Sequence, residues 1–429
     1  MIDKIEEQKI IDLIKREVVP AIGCTEPTAV SLCVAKATEI LGERPHHIEV
    51  YLSPNILKNA MGVGIPGTKM VGLPIAIALG ALIGKSQYGL QVLKDLTPDS
   101  VNEGRSYIEE KRIKISLKEN IEDKLYIEVH CFGNDTKSVA IIKGTHTSFT
   151  YILKDDKVLY NSNEIINDHE NSGDEIRLTF NNVYDFSTTV SIQDIHFILE
   201  AAELNRAASK YSAQGNYGHN VAKTVTGALG QQIFGNTILS HMLSYTAAAC
   251  DARMDGAMIP VMSNSGSGNQ GITATLPVLS YAEDINADED SLVRALVLSH
   301  LTVVYIKQKL GRLSALCGCV AAATGASCGI TYLMGGDYDQ ITFAVKNMVG
   351  NITGMICDGA KPSCALKISS GVSTAVLSAI MAMEHKVVSS IEGIVDDDVD
   401  KTIDNLTSIG AVGMIETDRL VLEIMTNKK

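Results

Sequence analysis

Nine cysteines in 429 residues form an odd set in a long chain, which argues against a disulfide scaffold and for metal binding or catalysis. The run Leu313-Ser-Ala-Leu-Cys317-Gly-Cys319-Val-Ala-Ala-Ala-Thr-Gly-Ala-Ser-Cys328 reads as a small-residue helix. On a helix, residues two apart point to different sides, so Cys317 and Cys319 are not expected to face one ligand together. Cys328 stands roughly 16 Å further along a continuous helix, too far to share a compact site with Cys317. This segment therefore supplies one ligand at most. In Cys357-Asp-Gly-Ala-Lys-Pro-Ser-Cys364, Gly359 and Pro362 break helical geometry. The two thiols are then expected on a compact loop that can turn both toward one point, with backbone N–H groups free to bond sulfur. Three soft thiolates without a nearby histidine suit an iron–sulfur cluster or zinc. A structural zinc would want a fourth protein ligand, whereas a three-cysteine cluster leaves one iron open for Lewis-acid chemistry. The competing reading is that all are buried cysteines acting as small hydrophobes.

Cys24 is a separate case. It directly precedes an expected helix N-terminus at Thr25-Glu26-Pro27, where the positive end of the helix favours a thiolate able to act as base or nucleophile. Ser263-Asn264-Ser265-Gly266-Ser267-Gly268-Asn269 is dense in small donors and suits an anion-binding nest. Arg253, between Asp251 and Asp255, offers a carboxylate-matching fork or a structural ion pair. Gly62-Val-Gly64-Ile-Pro-Gly67 formally contains G-x-G-x-x-G, but Pro66 disrupts the helix start and no acidic residue stands near position 87. A nucleotide fold is not expected. Cys33, Cys131 and Cys250 read as core, and His219 and His300 as satisfied helical residues.

Helical spacing predicts helices over 3–17, 25–42, 70–84, 191–209, 217–233, 237–252, 287–309, 313–327, 338–355, 364–384, 398–408 and 416–426. Alternating patterns over 48–52, 111–118, 125–132, 138–142 and 147–153 predict strands. The fold class expected is α+β: a large, mainly helical catalytic domain (1–85 and 190–429) interrupted by a smaller strand-rich α+β domain (86–189). Net charge is −13, with no Lys/Arg stripe interleaved with aromatics, so no nucleic-acid partner is expected. The charged N-terminus lacks a signal-peptide core. The apolar stretch 70–84 is short for a span, and 313–334 is built from Ala, Gly, Ser, Thr and Cys. The expectation is a cytoplasmic protein with no membrane partner, and a homo-oligomer is left open.

Four motifs together, Ile22-Gly-Cys24-Thr-Glu-Pro, Ser263–Gly271, Ala315-Leu-Cys317-Gly-Cys and Met355-Ile-Cys357-Asp-Gly-Ala-Lys, resemble the serine-dehydratase-α-like family. That family includes the iron–sulfur L-cysteine desulfidases and is related to the α chain of iron–sulfur L-serine dehydratase. The resemblance implies an oxygen-sensitive 4Fe-4S cluster and no pyridoxal phosphate. It implies Cys317, Cys357 and Cys364 as cluster ligands, choosing Cys317 over Cys319, and Cys24 as proton acceptor. The activity implied is β-elimination on a small amino acid, L-cysteine giving sulfide, ammonia and pyruvate. Asn264, Ser265, Gly266, Ser267 and Arg253 are then candidates for holding the substrate carboxylate. L-serine dehydration by the same mechanism and a non-enzymatic iron–sulfur sensor stand as alternatives. A pyridoxal-phosphate lyase is disfavoured by the lack of an alternating βαβ framework. Some serine dehydratases end in a cysteine that can occupy the fourth iron. This chain ends Met425-Thr-Asn-Lys-Lys, so an open iron is expected.

Overall fold

Small residues set how closely the helices pack. Gly318–Leu333 is buried along nearly its whole length, and a Cβ on Gly325 would stand 2.3 Å from the Ser299 carbonyl oxygen. Only glycine lets this helix approach Glu289–Leu310 at backbone distance. The computed structural model describes residues 3–119, 121, 123–162, 176–311 and 313–428. Within them the fold is α+β and mainly helical, with one mixed sheet of six strands.

Helices marked by periodicity and punctuation match closely. The ranges 364–384, 398–408 and 416–426 correspond to Cys364–Met383, Val399–Ser408 and Ile415–Thr426. Others were shortened or divided. The 191–209 pattern is a short helix, a 3-10 turn and Leu199–Ser212, while 217–233 splits at Gly227 into Val221–Thr226 and Ala228–Phe234. The small-residue helix begins at Gly318, not at 313, because residues 315–317 pair in extended form with 355–357. Gly268–Ile285 is a helix the spacing did not suggest: it opens in the Ser/Gly-rich turn and carries Pro277 in its interior.

The sheet runs in the order Ile113–Leu117, His47–Leu52, Tyr126–Phe132, Lys137–Lys143, Phe149–Lys154, Lys157–Asn161. Its first pair is parallel and the others antiparallel. The parallel pair requires a crossover, which contains Pro54–Ala60, Leu73–Leu82 and Pro98–Glu109. His47–Leu52 thus lies inside the sheet, and Thr25–Leu41 packs on the sheet's inner face. The sheet therefore draws on residues from both sides of position 86. Two main cores result. One, mainly helical, runs from Ile10 through Leu406, and the other joins Thr25–Leu41 to the sheet.

Cys364–Met383 is long and apolar enough to cross a membrane by length and composition, and 39% of that stretch is buried inside the protein. It packs against the helices Gly318–Leu333, Tyr338–Ile352 and Ile238–Met254.

The last helix, Ile415–Thr426, is tied to Pro54–Ala60 by an ion pair between Asp418 and Lys58, a lysine buried to 1% exposure. Removing one partner strands a buried charge. Asp418→Asn is expected to cost about 3 kcal/mol in denaturant unfolding, and the double variant Lys58→Met/Asp418→Leu distinctly less.

Candidate active site

Two short extended pairings bring distant motifs together. Pro20–Ile22 pairs antiparallel with Pro260–Met262. The contact continues through Ser263 N to Val19 O and Ser265 N to Glu17 O, both 2.9 Å. This sets Cys24 beside the 263–271 turn. Across the cavity, Leu316 bridges Ile356, with Cys317 N donating to Met355 O (2.9 Å) and Cys357 N to Ala315 O (2.6 Å). This sets Cys317 beside Cys357. Gly359, at φ +87°, passes so close to Lys58 O that a Cβ would sit 2.2 Å away, and it turns the loop back toward Cys364.

The result is one cavity of about 130 Å³ lined by Cys24, Cys317, Cys357 and Cys364, together with Arg253, Ser265, Gly266 and Ser267. Four helices begin there. Cys24 caps Thr25–Leu41, Ser267 caps Gly268–Ile285, Cys317 caps Gly318–Leu333, and Cys364 is the first residue of Cys364–Met383. Helix N-termini present free N–H groups and a positive dipole end, so the cavity suits thiolates and a carboxylate.

Asn264 does not line this cavity. Its amide donates to His300 Nδ1 (3.1 Å) and His300 O (3.0 Å), and its carbonyl accepts from Ser265 Oγ (2.8 Å). His300 Nε2 in turn meets Thr275 Oγ1 at 2.9 Å. With Nδ1 accepting, Nε2 carries the proton. This buried chain holds Ser265 at φ 47°, a conformation rare for a non-glycine residue. Asn264 is therefore a support of the turn. Burial lowers His300 from its ordinary 6.5 to about 3, so the folded protein refuses a proton that the unfolded chain accepts. The His300 contribution to stability is full above about pH 6.5 and is lost as pH falls toward 3, at about 1.4 kcal/mol per pH unit. His300→Gln is expected to lack that part of the slope in unfolding measured from pH 7 to pH 4.

Arg253 does line the cavity, but its fork is engaged. Nη1 donates to Asn269 Oδ1 and Nη2 to Gly23 O, both 2.9 Å, while Nε is buried without a partner. A Cβ on Gly268 would lie 2.3 Å from that Nε. Arg253 thus clamps the Cys24 loop to the 263–271 turn, and its Nη2 stands 3.9 Å from Cys24 Sγ. The bidentate carboxylate role read from its residue type gives way to this clamp.

Burial, with Glu26 next, pushes Cys24 up to about 12, against the lowering effect of Arg253. Desolvation thus opposes the helix end, which favours the thiolate, and shifts the balance toward the thiol. Burial followed by Cys357 likewise pushes Cys317 up to about 12, and burial raises Cys364.

The donor set can be tested against a metal group. Among the described residues no three His, Cys, Asp or Glu side chains are gathered tightly enough to grip a single metal ion, which disfavours a lone zinc. A cluster spreads its thiolates over different irons, so three thiols around one cavity fit it without converging on a point. Lys367, one turn into the Cys364 helix, donates to Ile356 O at 2.8 Å and pairs with Asp358, which fixes the backbone on either side of Cys357. Cys319, also on the lining, donates to Lys367 O at 3.3 Å. Buried Cys250 lies below, 3.7 Å from Asn269 Oδ1, so it adjoins the site as well as belonging to the core.

Sequence reading missed Glu26, Asn59, His146, Gln270, Lys307 and Lys367 on the lining. Two carried a signal: Glu26 lies inside the Cys24-Thr-Glu-Pro motif, and Lys367 follows Cys364 at helical spacing. The Gly62–Gly67 turn backs the site instead, since a Cβ on Gly23 would strike Pro66 at 2.5 Å.

Comparison with known proteins gives the family. A family model described as serine dehydratase alpha chain matches residues 87–423. A UPF0597 protein of Phocaeicola vulgatus is 65% identical over 430 residues, covering 100% of both chains. Another from Bacteroides fragilis is 64% identical over 423 residues, 99% of each. A third, from Oleidesulfovibrio alaskensis, is 44% identical over 428 residues, again 99% of each. The chain belongs to the serine dehydratase α chain family.

Proposed function

We propose that this protein is an iron–sulfur-dependent lyase that eliminates the β-substituent of a small amino acid, with L-cysteine as substrate and sulfide, ammonia and pyruvate as products. The observation that carries this reading is the single cavity onto which four helix N-termini deliver Cys24, Ser267, Cys317 and Cys364, with Cys357 beside them. Cys317, Cys357 and Cys364 would hold a 4Fe-4S cluster, which when bound supplies an iron position acting as a Lewis acid on the leaving group.

The chain's own residues do the rest. The N–H groups opening Gly268–Ile285, with Ser265, Gly266 and Ser267, receive the substrate carboxylate. Arg253 fixes Gly23 and Asn269, so Cys24 and that nest keep one spacing. Cys24, on the cavity wall, takes the Cα proton. Burial of Cys24 keeps bulk water from its sulfur. Aminoacrylate then leaves and hydrolyses in solution.

A sulfur leaving group is softer than a hydroxyl and better matched to iron, which favours cysteine. The family description, serine dehydratase alpha chain, supports L-serine as the second reading. Anaerobic reconstitution with iron and sulfide, followed by parallel assays of both amino acids, separates them. Sulfide and pyruvate from cysteine are expected; pyruvate from serine alone would overturn the desulfidase reading. An iron chromophore with neither product would make the protein a sensor. Cytoplasmic location and a homo-oligomer belong to the same proposal and rest on sequence alone.

A further inference from the structure

A buried base must hand its proton on before it can act again. Cys24 is 5% exposed, and its thiol donates to Glu26 Oε2 across 3.6 Å. Glu26 is half-buried and sits in the first turn of the helix that Cys24 caps, where the helix end favours a carboxylate. Its other oxygen, Oε1, accepts from Asn59 Nδ2 at 3.0 Å, so the carboxylate is held from two sides. Glu26 and Asn59 both line the cavity. Arg253 Nη2 also approaches the sulfur, 3.9 Å away.

We propose that Glu26 is the proton outlet of Cys24: it takes the thiol proton to generate the thiolate and passes it to water. This deepens the elimination reading and rests on it. The steps balance as follows. The Cys24 S–H proton moves to the Glu26 carboxylate, leaving a thiolate facing Arg253. The thiolate takes the Cα proton and is a thiol again. The Cα–H electron pair becomes the second Cα–Cβ bond while the Cβ–substituent bond breaks, its pair leaving with the substituent. Glu26 then releases its proton to solvent, and the thiol and carboxylate are restored, with one proton and one anion released per turnover. Other titratable groups that face Cys24 or share its cavity are Cys317, Cys319, Cys357, Cys364, Lys307, His146 and Lys367. Arg253 favours the thiolate and Cys364 disfavours it, while Glu26 is the carboxylate that accepts from the sulfur. Glu26 acts through Cys24, not on the substrate.

The test uses the full chain in two forms. In cluster-free protein, alkylation of Cys24 by iodoacetamide is followed against pH by peptide mass spectrometry, which separates it from the other cysteines. Glu26→Gln is expected to move the Cys24 profile to lower pH by about one unit or more, because a neighbouring negative charge and acceptor are lost. In reconstituted enzyme, Glu26→Gln is expected to lower kcat by about 10²-fold with KM nearly unchanged, and Glu26→Asp to recover part of it. An unmoved alkylation profile, or a rise in KM with kcat intact as an ammonium-binding carboxylate would give, overturns the proposal. Wild-type protein that eliminates nothing overturns the elimination reading instead. The alkylation shift would then stand by itself as evidence of the acid–thiol couple.

Discussion

Cys357→Ser is expected to abolish iron loading and elimination together, and Cys317→Ser and Cys364→Ser to do the same. The three thiols come from two segments 40 residues apart (357 − 317), and the Leu316–Ile356 bridge that joins those segments is backbone-built. A serine at any of these positions therefore leaves the scaffold standing and removes only a soft donor, which iron does not exchange for a hydroxyl without loss. The loss in activity should exceed the roughly 10–100-fold that changes around a metal's ligands usually cost. Iron and sulfide content after anaerobic reconstitution is the direct readout, with circular dichroism to show that the fold survives. Cys328→Ser, in the buried interior of Gly318–Leu333, and Cys33→Ser, in the sheet core, should load iron as the parent does. Cys319→Ser is the sharper control, because its thiol also lines the cavity but is committed to Lys367 O. Retained loading there would separate Cys317 from its neighbour by experiment.

Cys24→Ala should behave in the opposite way, with a full iron complement and a kcat lower by about 10²–10⁴-fold, the usual contribution of a positioned acid or base. Cys24 stands on the cavity wall shared with the three thiols but donates its hydrogen bond to Glu26. Its removal therefore takes away the proton acceptor without touching a donor to iron. Cys24→Ser is expected to be nearly as impaired, since a hydroxyl gives up its proton far less readily than a thiol and so does not reach the anion that accepts the Cα proton. Parallel iron analysis and steady-state kinetics check the pair. Loss of iron in either variant would place Cys24 among the ligands and not opposite them.

Much of this site is legible in residue types and spacing. The Cys357–Cys364 loop and the helix that follows it are punctuated by Gly359 and Pro362. The cap before Thr25-Glu26-Pro27 marks a helix start whatever the rest of the chain does. What spacing does not carry is pairing between distant segments. The extended run 315–317 looks helical because its neighbours are Ala and Leu, and only its partner 355–357 holds it straight. The Gly268–Ile285 helix escapes notice because Pro277 and the Ser/Gly turn are helix breakers locally, while burial between neighbouring helices overrides them. The side-chain roles of Arg253 and Asn264 follow from where Gly23 and His300 arrive in space, which no periodicity reports. The desolvation of Cys24 is hidden for a similar reason. A helix end is visible in sequence, whereas burial to 5% exposure is a property of the assembled cavity, and desolvation opposes the helix end.

Mössbauer spectroscopy of protein reconstituted anaerobically with ⁵⁷Fe, recorded before and after L-cysteine is added, probes the metal centre itself. The expected result is a cluster in which one iron site is distinct from the rest and changes on addition of the amino acid. Iron sites that all stay equivalent and unaltered, or a chain that binds no iron with Cys317, Cys357 and Cys364 intact, would contradict a three-thiolate cluster with an open position for substrate.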